Sequence, residues 1–226
     1  MLRLSLAYVL VSGLAFAAPV VVFNDFGPGN TFMPGPGITV GCGALCFIDA
    51  GHSHGWSFTP ATTTSLSLLE TVGSLGPSAG GTMIFTISAD VGGVPGASLE
   101  TFNLPLIPIP QFVAFPSTLH PTLLAGQTYW FTAFTQDLVN QAGNVGINSI
   151  GVTGPEALRI GSGPWTPTTS SAYAVFRITG DQAAQVPEPS TLCLLGFGGI
   201  ALALCTRRHS VPPVSSGMLT FGPSSP

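Results

Sequence analysis

Charged residues are what this sequence most clearly lacks. The 226 residues include no lysine, and charged residues make up 6% of the chain, against about 25% in an average soluble domain. Nucleic-acid binders need a basic surface to neutralise phosphates, so that class is excluded. A coiled coil or helical bundle is excluded as well, because such folds are rich in Glu and Lys and poor in helix breakers, whereas this chain has 29 glycines and 21 prolines.

The chain is rich in short alternating runs of apolar and hydroxyl-bearing residues. Hydrophobic residues make up 45% of it, which argues against intrinsic disorder. Runs such as residues 64–69, 82–88 and 128–135 follow a period of two, which is typical of strands. Glycine and proline clusters, for example residues 34–37 and 92–96, separate these runs and predict turns. We therefore expect an all-β fold, with a single β-sandwich or jelly-roll-like domain over residues 18–185.

The N-terminal residues have the three parts of a secretory signal peptide in order. Met1-Leu2-Arg3 is a short basic region, residues 4–16 form an apolar run, and Ala15-Phe16-Ala17 is a small-residue cleavage site. We expect cleavage after Ala17, with residues 1–17 removed. The chain would be exported through the Sec translocon, and signal peptidase would then remove residues 1–17.

The C-terminal residues predict a membrane sorting segment. Pro187-Glu188-Pro189 precedes an apolar stretch, which we expect to span the inner membrane as one helix at about residues 191–206. Arg207 and Arg208 follow as stop-transfer residues that stay in the cytoplasm. Residues 209–226 are rich in Pro, Ser and Gly, and we expect a disordered tail there.

Taken together, Pro187-Glu188-Pro189, the apolar span and the arginine pair resemble the PEP-CTERM sorting signal, here residues 186–208. The resemblance implies an exported protein of an exopolysaccharide-producing Gram-negative bacterium. It also implies that a membrane-embedded exosortase, a cysteine protease-transpeptidase, recognises and processes the tail. The expected destination is the cell surface or the extracellular matrix, after a transient or permanent membrane anchor.

Several strand-and-turn motifs of the exported region, taken in order, resemble the choice-of-anchor R family of exported β-domains. That family has no established catalytic or ligand residues, so the resemblance implies only a fold and a surface location. The motifs are Phe23–Gly29, Ser57–Pro60, Ala89–Gly96, Leu124–Trp130 and Ala174–Gly180.

The densest group of reactive side chains is Cys42, Cys46, His52 and His54. Two cysteines and two histidines could close a tetrahedral zinc site. Against a metal, we expect the two histidines, separated by one residue, to point to opposite faces of a strand. The cysteines would also meet an oxidising compartment after export. A Cys42–Cys46 disulfide is therefore favoured, while free thiols and a weak metal site stay open.

Other signs of chemistry are few. The sequence has no nucleophile elbow, no HExxH motif and no phosphate-binding glycine loop, so we expect no enzyme and no cofactor. Trp165 lies in a predicted loop, where its ring could stack on a sugar of the exopolysaccharide. Alternatives to a plain surface protein are therefore a carbohydrate-binding module and a simple single-pass membrane-anchored protein.

Overall fold

The computed structural model describes residues 18–41, 51–75, 81–104, 107–169 and 172–182. These residues contain strands, turns and no helix, which confirms the predicted all-β class. The strands are β1 Pro19–Asn24, β2 Phe32–Gly41, β3 His52–Phe58, β4 Thr64–Leu75, β5 Met83–Asp90, β6 Pro95–Leu104, β7 Gln111–Pro116, β8 Thr122–Leu123, β9 Tyr129–Thr135, β10 Ala142–Asn148, β11 Glu156–Ile160, β12 Thr166–Thr168 and β13 Phe176–Asp181.

The described strands form one antiparallel sheet with the order β1-β13-β4-β10-β2-β3-β9-β5-β6. β7 and β8 pair with the second edge of β4, while β11 pairs with β3 and carries β12 on its other side. The link between β2 and β3 is a single pair, Gly41 with His52. That short link separates a half built around β4 and β13 from a half built around β3, β9 and β5.

Aromatic rings show that the two halves of the sheet face each other. Phe176 on β13 lies 4.7 Å from Phe131 on β9, and 5.9 Å from Phe58 on β3, between ring centroids. Phe115 on β7 and Phe85 on β5 make a similar contact at 5.7 Å. These phenylalanines lie on opposite halves, so the hydrophobic core sits between them. The largest fully buried side chains are Trp56, Trp130, Phe85, Phe131, Phe176, Leu66, Leu69, Leu75, Met83, Ile87, Leu123 and Ile178.

The strand pattern follows from the period-two sequence. On β5, Met83, Phe85 and Ile87 are each fully buried, because alternate side chains of a strand point to the same face. The core cluster and all the described strand pairs lie within residues 18–182. The described residues also belong to one compact unit, Met1–Ala184. The β-domain therefore holds its own core.

One predicted turn is wrong. Residues 34–37, Pro-Gly-Pro-Gly, lie inside β2 instead of ending it. Met33 pairs with Ile147 and Ile38 pairs with Val145, so the residues between them bulge out of the ladder with β10. Gly37 has a φ of 78° within this bulge, a conformation that glycine adopts at little cost. Here the glycines and prolines mark a bulge, and the strand continues beyond it.

Candidate functional site

Most of the residues singled out by the sequence lie outside the described residues. These are the signal peptide, Cys42, Cys46, the Pro187-Glu188-Pro189 motif and the Arg207-Arg208 pair. Within the described part of the chain, no helix is both long enough and apolar enough to cross a membrane. The predicted transmembrane segment is not among the residues covered by that finding. Trp165, His52 and His54 are the candidates that lie within the described residues.

Trp165 lies at the end of the β11–β12 hairpin. Leu158 pairs with Thr166 across this hairpin, so the next residues outward, Arg159 and Trp165, come side by side. Gly161 has a φ of 55°, and its N–H donates to the carbonyl of Gly51, which helps to hold the turn. The ring of Trp165 is half-buried, which leaves part of it accessible, as a sugar-stacking residue requires.

The guanidinium of Arg159 packs against this ring. Its central carbon lies 4.8 Å from the ring centroid of Trp165 and 5.3 Å from that of Phe134 on β9. One terminal nitrogen, Nη2, donates to the hydroxyl of Ser53 at 3.3 Å. The two aromatic rings and Ser53 therefore hold the guanidinium in one place. We call these residues, Arg159, Trp165, Phe134 and Ser53, the Arg159 cluster.

Arg159 has no carboxylate partner among the described residues. Its Nε is buried and has no hydrogen-bond partner there either. Desolvation by burial lowers the pKa of Arg159, because a low-dielectric surrounding penalises the charged form. The cluster thus presents a positive charge that the described part of the protein leaves without a counter-charge.

The other arginine of the β-domain, Arg177, makes an ion pair. Arg177 on β13 donates to both carboxylate oxygens of Glu70 on β4, its register partner, and also to the side chain of Asn30 at 2.9 Å. The hydrogen bond and charge of Glu70 raise the pKa of Arg177 against the effect of burial. Arg177 therefore has a structural role.

The expected arrangement of His52 and His54 is wrong. The two residues are at positions i and i+2 of β3, and a strand repeats every two residues, so both side chains lie on the same face. Their ring centroids are 6.3 Å apart. The ring of His54 stacks on Trp56, and its Nδ1 lies 2.9 Å from a carboxylate oxygen of Glu156. The geometric objection to a metal at this pair is thereby removed.

No group of three or more His, Cys, Asp or Glu side chains in the described part of the chain is arranged to hold a metal ion. Cys42 and Cys46 lie outside that part, so the disulfide and the weak four-ligand metal site stay predictions. Glu156 is the residue that sequence reasoning missed here. It is buried on β11, far from His54 in the chain, and only the pairing of β11 with β3 brings the two together.

A second buried acidic residue was also not predicted from the sequence. Asp25 has no exposed surface, and one of its carboxylate oxygens accepts the N–H of Phe176 at 2.6 Å. The other oxygen, Oδ2, is buried and has no partner among the described residues. Desolvation by burial raises the pKa of Asp25 to about 8, although the backbone hydrogen bond from Phe176 opposes the rise. A pKa of about 8 keeps this carboxyl mainly protonated at neutral pH.

The C-terminal pattern is recognised by a protein-family comparison. The family model described as the PEP-CTERM protein-sorting motif matches residues 185–208. The chain carries a PEP-CTERM sorting motif. The matched range contains both the Pro187-Glu188-Pro189 element and the Arg207-Arg208 pair, so the resemblance stated from the sequence is confirmed. No curated protein matches the chain at a significant level.

The PEP-CTERM motif implies export and recognition by an exosortase. It occupies 24 residues at the C-terminal side of the β-domain, and it concerns the sorting of the protein. It assigns no chemistry to the domain itself. The choice-of-anchor R resemblance of that domain stays a prediction.

Proposed function

We propose that this chain is an exported, non-enzymatic protein of the bacterial cell surface or extracellular matrix, sorted through the inner membrane by an exosortase-type transpeptidase. The observation that carries the proposal is the PEP-CTERM motif at residues 185–208. Pro187-Glu188-Pro189 would be the recognition element. The prolines keep the backbone extended there, because their fixed φ and missing N–H disfavour a helix.

The proposed route has three steps. The signal peptide takes the chain to the Sec translocon and is removed by signal peptidase after Ala17. The apolar segment at about residues 191–206 then holds the protein in the membrane, with Arg207 and Arg208 on the cytoplasmic side. Cleavage at the sorting motif finally releases the β-domain to the surface or the matrix. Permanent anchoring by the same segment is the competing outcome.

The domain that remains is proposed to be a β-sandwich. Support comes from the ring contacts between the two halves of the sheet, such as Phe131 with Phe176. The non-enzymatic role is supported by two described carboxylates that make structural contacts. Glu70 pairs with Arg177, and Glu100 accepts four hydrogen bonds from residues 117–119.

The test replaces Pro187, Glu188 and Pro189 with alanine in the full chain. The expected result is unprocessed protein in the inner membrane fraction, detected by immunoblot as a larger species. A matched control replaces Pro212 and Pro213, another proline pair, which lies outside the matched motif. That control should be processed like the natural chain. Normal processing of the triple variant would refute the sorting proposal.

A second candidate function is carbohydrate contact by the exported domain. It is favoured by the half-buried ring of Trp165 at a hairpin end, where a flat apolar surface can meet the face of a pyranose. Trp165→Ala should abolish retention of the protein on exopolysaccharide. Ile109→Ala, which shortens another exposed apolar side chain, should leave retention unchanged. Equal retention of the two variants would exclude Trp165 as the contact.

A further inference from the structure

We propose that the Arg159 cluster is a binding site for an acidic saccharide, in which Arg159 binds the carboxylate and Trp165 stacks on the sugar ring. The inference rests on the proposed carbohydrate contact and adds the class of sugar and the residue that selects it. It predicts that a uronic acid, or another sugar that carries a carboxylate, is preferred over a neutral sugar.

The first argument is the charge distribution of the exported domain. Residues 18–182 contain eight acidic residues and two arginines, which gives a formal net charge of −6 when every carboxyl is counted as ionised and the histidines as neutral. Arg177 is neutralised by Glu70, whereas Arg159 has no carboxylate partner among the described residues. A cation without a partner is costly to keep half-buried. An anion from outside the protein would remove that cost.

The second argument is that the guanidinium is already positioned. Rings of Trp165 and Phe134 lie against it, and Ser53 accepts from its Nη2. An arginine carries five N–H donors in a planar fork that matches the two oxygens of a carboxylate. This contact with Ser53 uses one of those donors. Because the side chain is held in place before binding, little conformational entropy is lost when a carboxylate docks.

The third argument concerns the local dielectric. Burial lowers the pKa of Arg159, with desolvation as the cause, so the charge sits where water screens it poorly. Charges attract more strongly in such surroundings than in bulk water. Repulsion of a polyanion by acidic residues that lie more than about 8 Å away is screened at physiological salt.

The chemistry of the neighbours favours a sugar over other anions. The indole of Trp165 offers an apolar face beside the cation, and the exposed residue Ser162 lies on the same hairpin. A nucleic acid or an anionic membrane needs several basic residues at one surface, and this domain has only two arginines and no lysine. A carboxylate beside a pyranose ring matches both parts of the cluster.

The experiment measures binding of the full chain in detergent to two probes of equal length, an oligogalacturonate and a neutral galacto-oligosaccharide, by calorimetry. The natural chain should bind the acidic probe at least about tenfold more tightly, as expected for one charge-assisted pair. Arg159→Met should lose that preference. Arg159→Lys, which keeps the charge but not the fork, should retain part of it.

Two controls separate the site from general effects. Gln111→Glu lies on β7, which pairs with β4, and it changes the net charge by the same amount as Arg159→Met, so it should leave the preference intact. Thermal melting of each variant checks that the fold is kept. Trp165→Phe, the conservative aromatic change, should bind both probes more weakly while keeping the preference.

The outcomes distinguish this inference from the carbohydrate contact on which it rests. Equal binding of both probes, unaffected by Arg159→Met, would overturn the acidic-sugar site and leave the contact standing. No binding of either probe would overturn both. Binding of a polyglutamate peptide as tightly as the oligogalacturonate would overturn the saccharide class, because the carboxylate alone would then suffice.

Discussion

Replacing Asp25 with asparagine should remove a loss of domain stability that develops as the pH rises from 4 to 8. In the folded protein the pKa of Asp25 is raised from its ordinary 3.8 to about 8 by desolvation. Between these two values the folded state holds a proton that the unfolded state has lost. The contribution of this carboxyl to stability is therefore fully present below about pH 4 and is lost as the pH rises through this window.

The magnitude follows from the size of the pKa shift. Each pH unit within the window costs about 1.4 kcal/mol of the free energy of unfolding. Between pH 4 and pH 7 the loss from this one carboxyl is about 4 kcal/mol, a large part of the stability of an ordinary domain. Asparagine keeps the oxygen that accepts the N–H of Phe176 and does not titrate, so the variant escapes the loss.

The assay is urea unfolding of the exported domain at several pH values, followed by tryptophan fluorescence. Trp56 and Trp130 are buried and report on the core. Subtracting the curve of the natural domain from that of Asp25→Asn cancels the other titrating groups. The difference should grow by about 4 kcal/mol from pH 4 to pH 7 in favour of the variant.

Asp137→Asn is the matched control for this experiment. Asp137 is half-buried, and hydrogen bonds from the side chain and backbone of Asn140 and from the backbone of Val139 lower its pKa. A lowered pKa stabilises the folded state at neutral pH, and that contribution is lost as the pH falls. As the pH rises, the stability difference between this control and the natural domain should therefore change in favour of the natural domain, which is the opposite of the change expected for Asp25→Asn. Parallel stability curves for Asp25→Asn and the natural domain would refute the reasoning.

Three further substitutions test single contacts by thermal or urea unfolding. Glu100→Gln should lower the free energy of unfolding by about 2 kcal/mol, because this buried carboxylate orders the 117–119 turn through four hydrogen bonds. No loss would show that the turn is stable without these bonds. Glu70→Gln should lower the free energy of unfolding by about 2 kcal/mol, since Arg177 loses its paired charge. Adding Arg177→Met to this variant should cause little further loss of stability. Gly37→Ala should cost about 2 kcal/mol, because φ is 78° and a Cβ would collide with the carbonyl of Val145; an unchanged midpoint would contradict the bulge geometry.

The all-β class could be predicted because apolar residues recur at every second position in several runs of the sequence. Met83, Phe85 and Ile87 alternate in the chain and are all buried in β5. The Pro-Gly-Pro-Gly run at residues 34–37 was harder to interpret, because the same residues that make turns also make bulges. Only the partner strand decides between the two, and here β10 pairs with β2 on both sides of the run.

The contacts of the candidate site could be predicted from the sequence only in part. Trp165 could be singled out as a loop aromatic, but its contact with Arg159 depends on the register of the β11–β12 hairpin. His54 and Glu156 meet across strands that are about a hundred residues apart in the chain. The shared face of His52 and His54, in contrast, follows from the strand repeat alone. Long-range pairs need the fold, whereas neighbours on one strand do not.

The most direct test of the sorting proposal is the intact mass of the protein recovered from cells and from the medium. The account predicts a medium species that begins at Ala18 and ends near residues 186–190. A mass lower by a further 2 Da would indicate the Cys42–Cys46 disulfide. A species that runs through Pro226 in the membrane fraction, with nothing released, would contradict exosortase processing and leave a single-pass anchored protein.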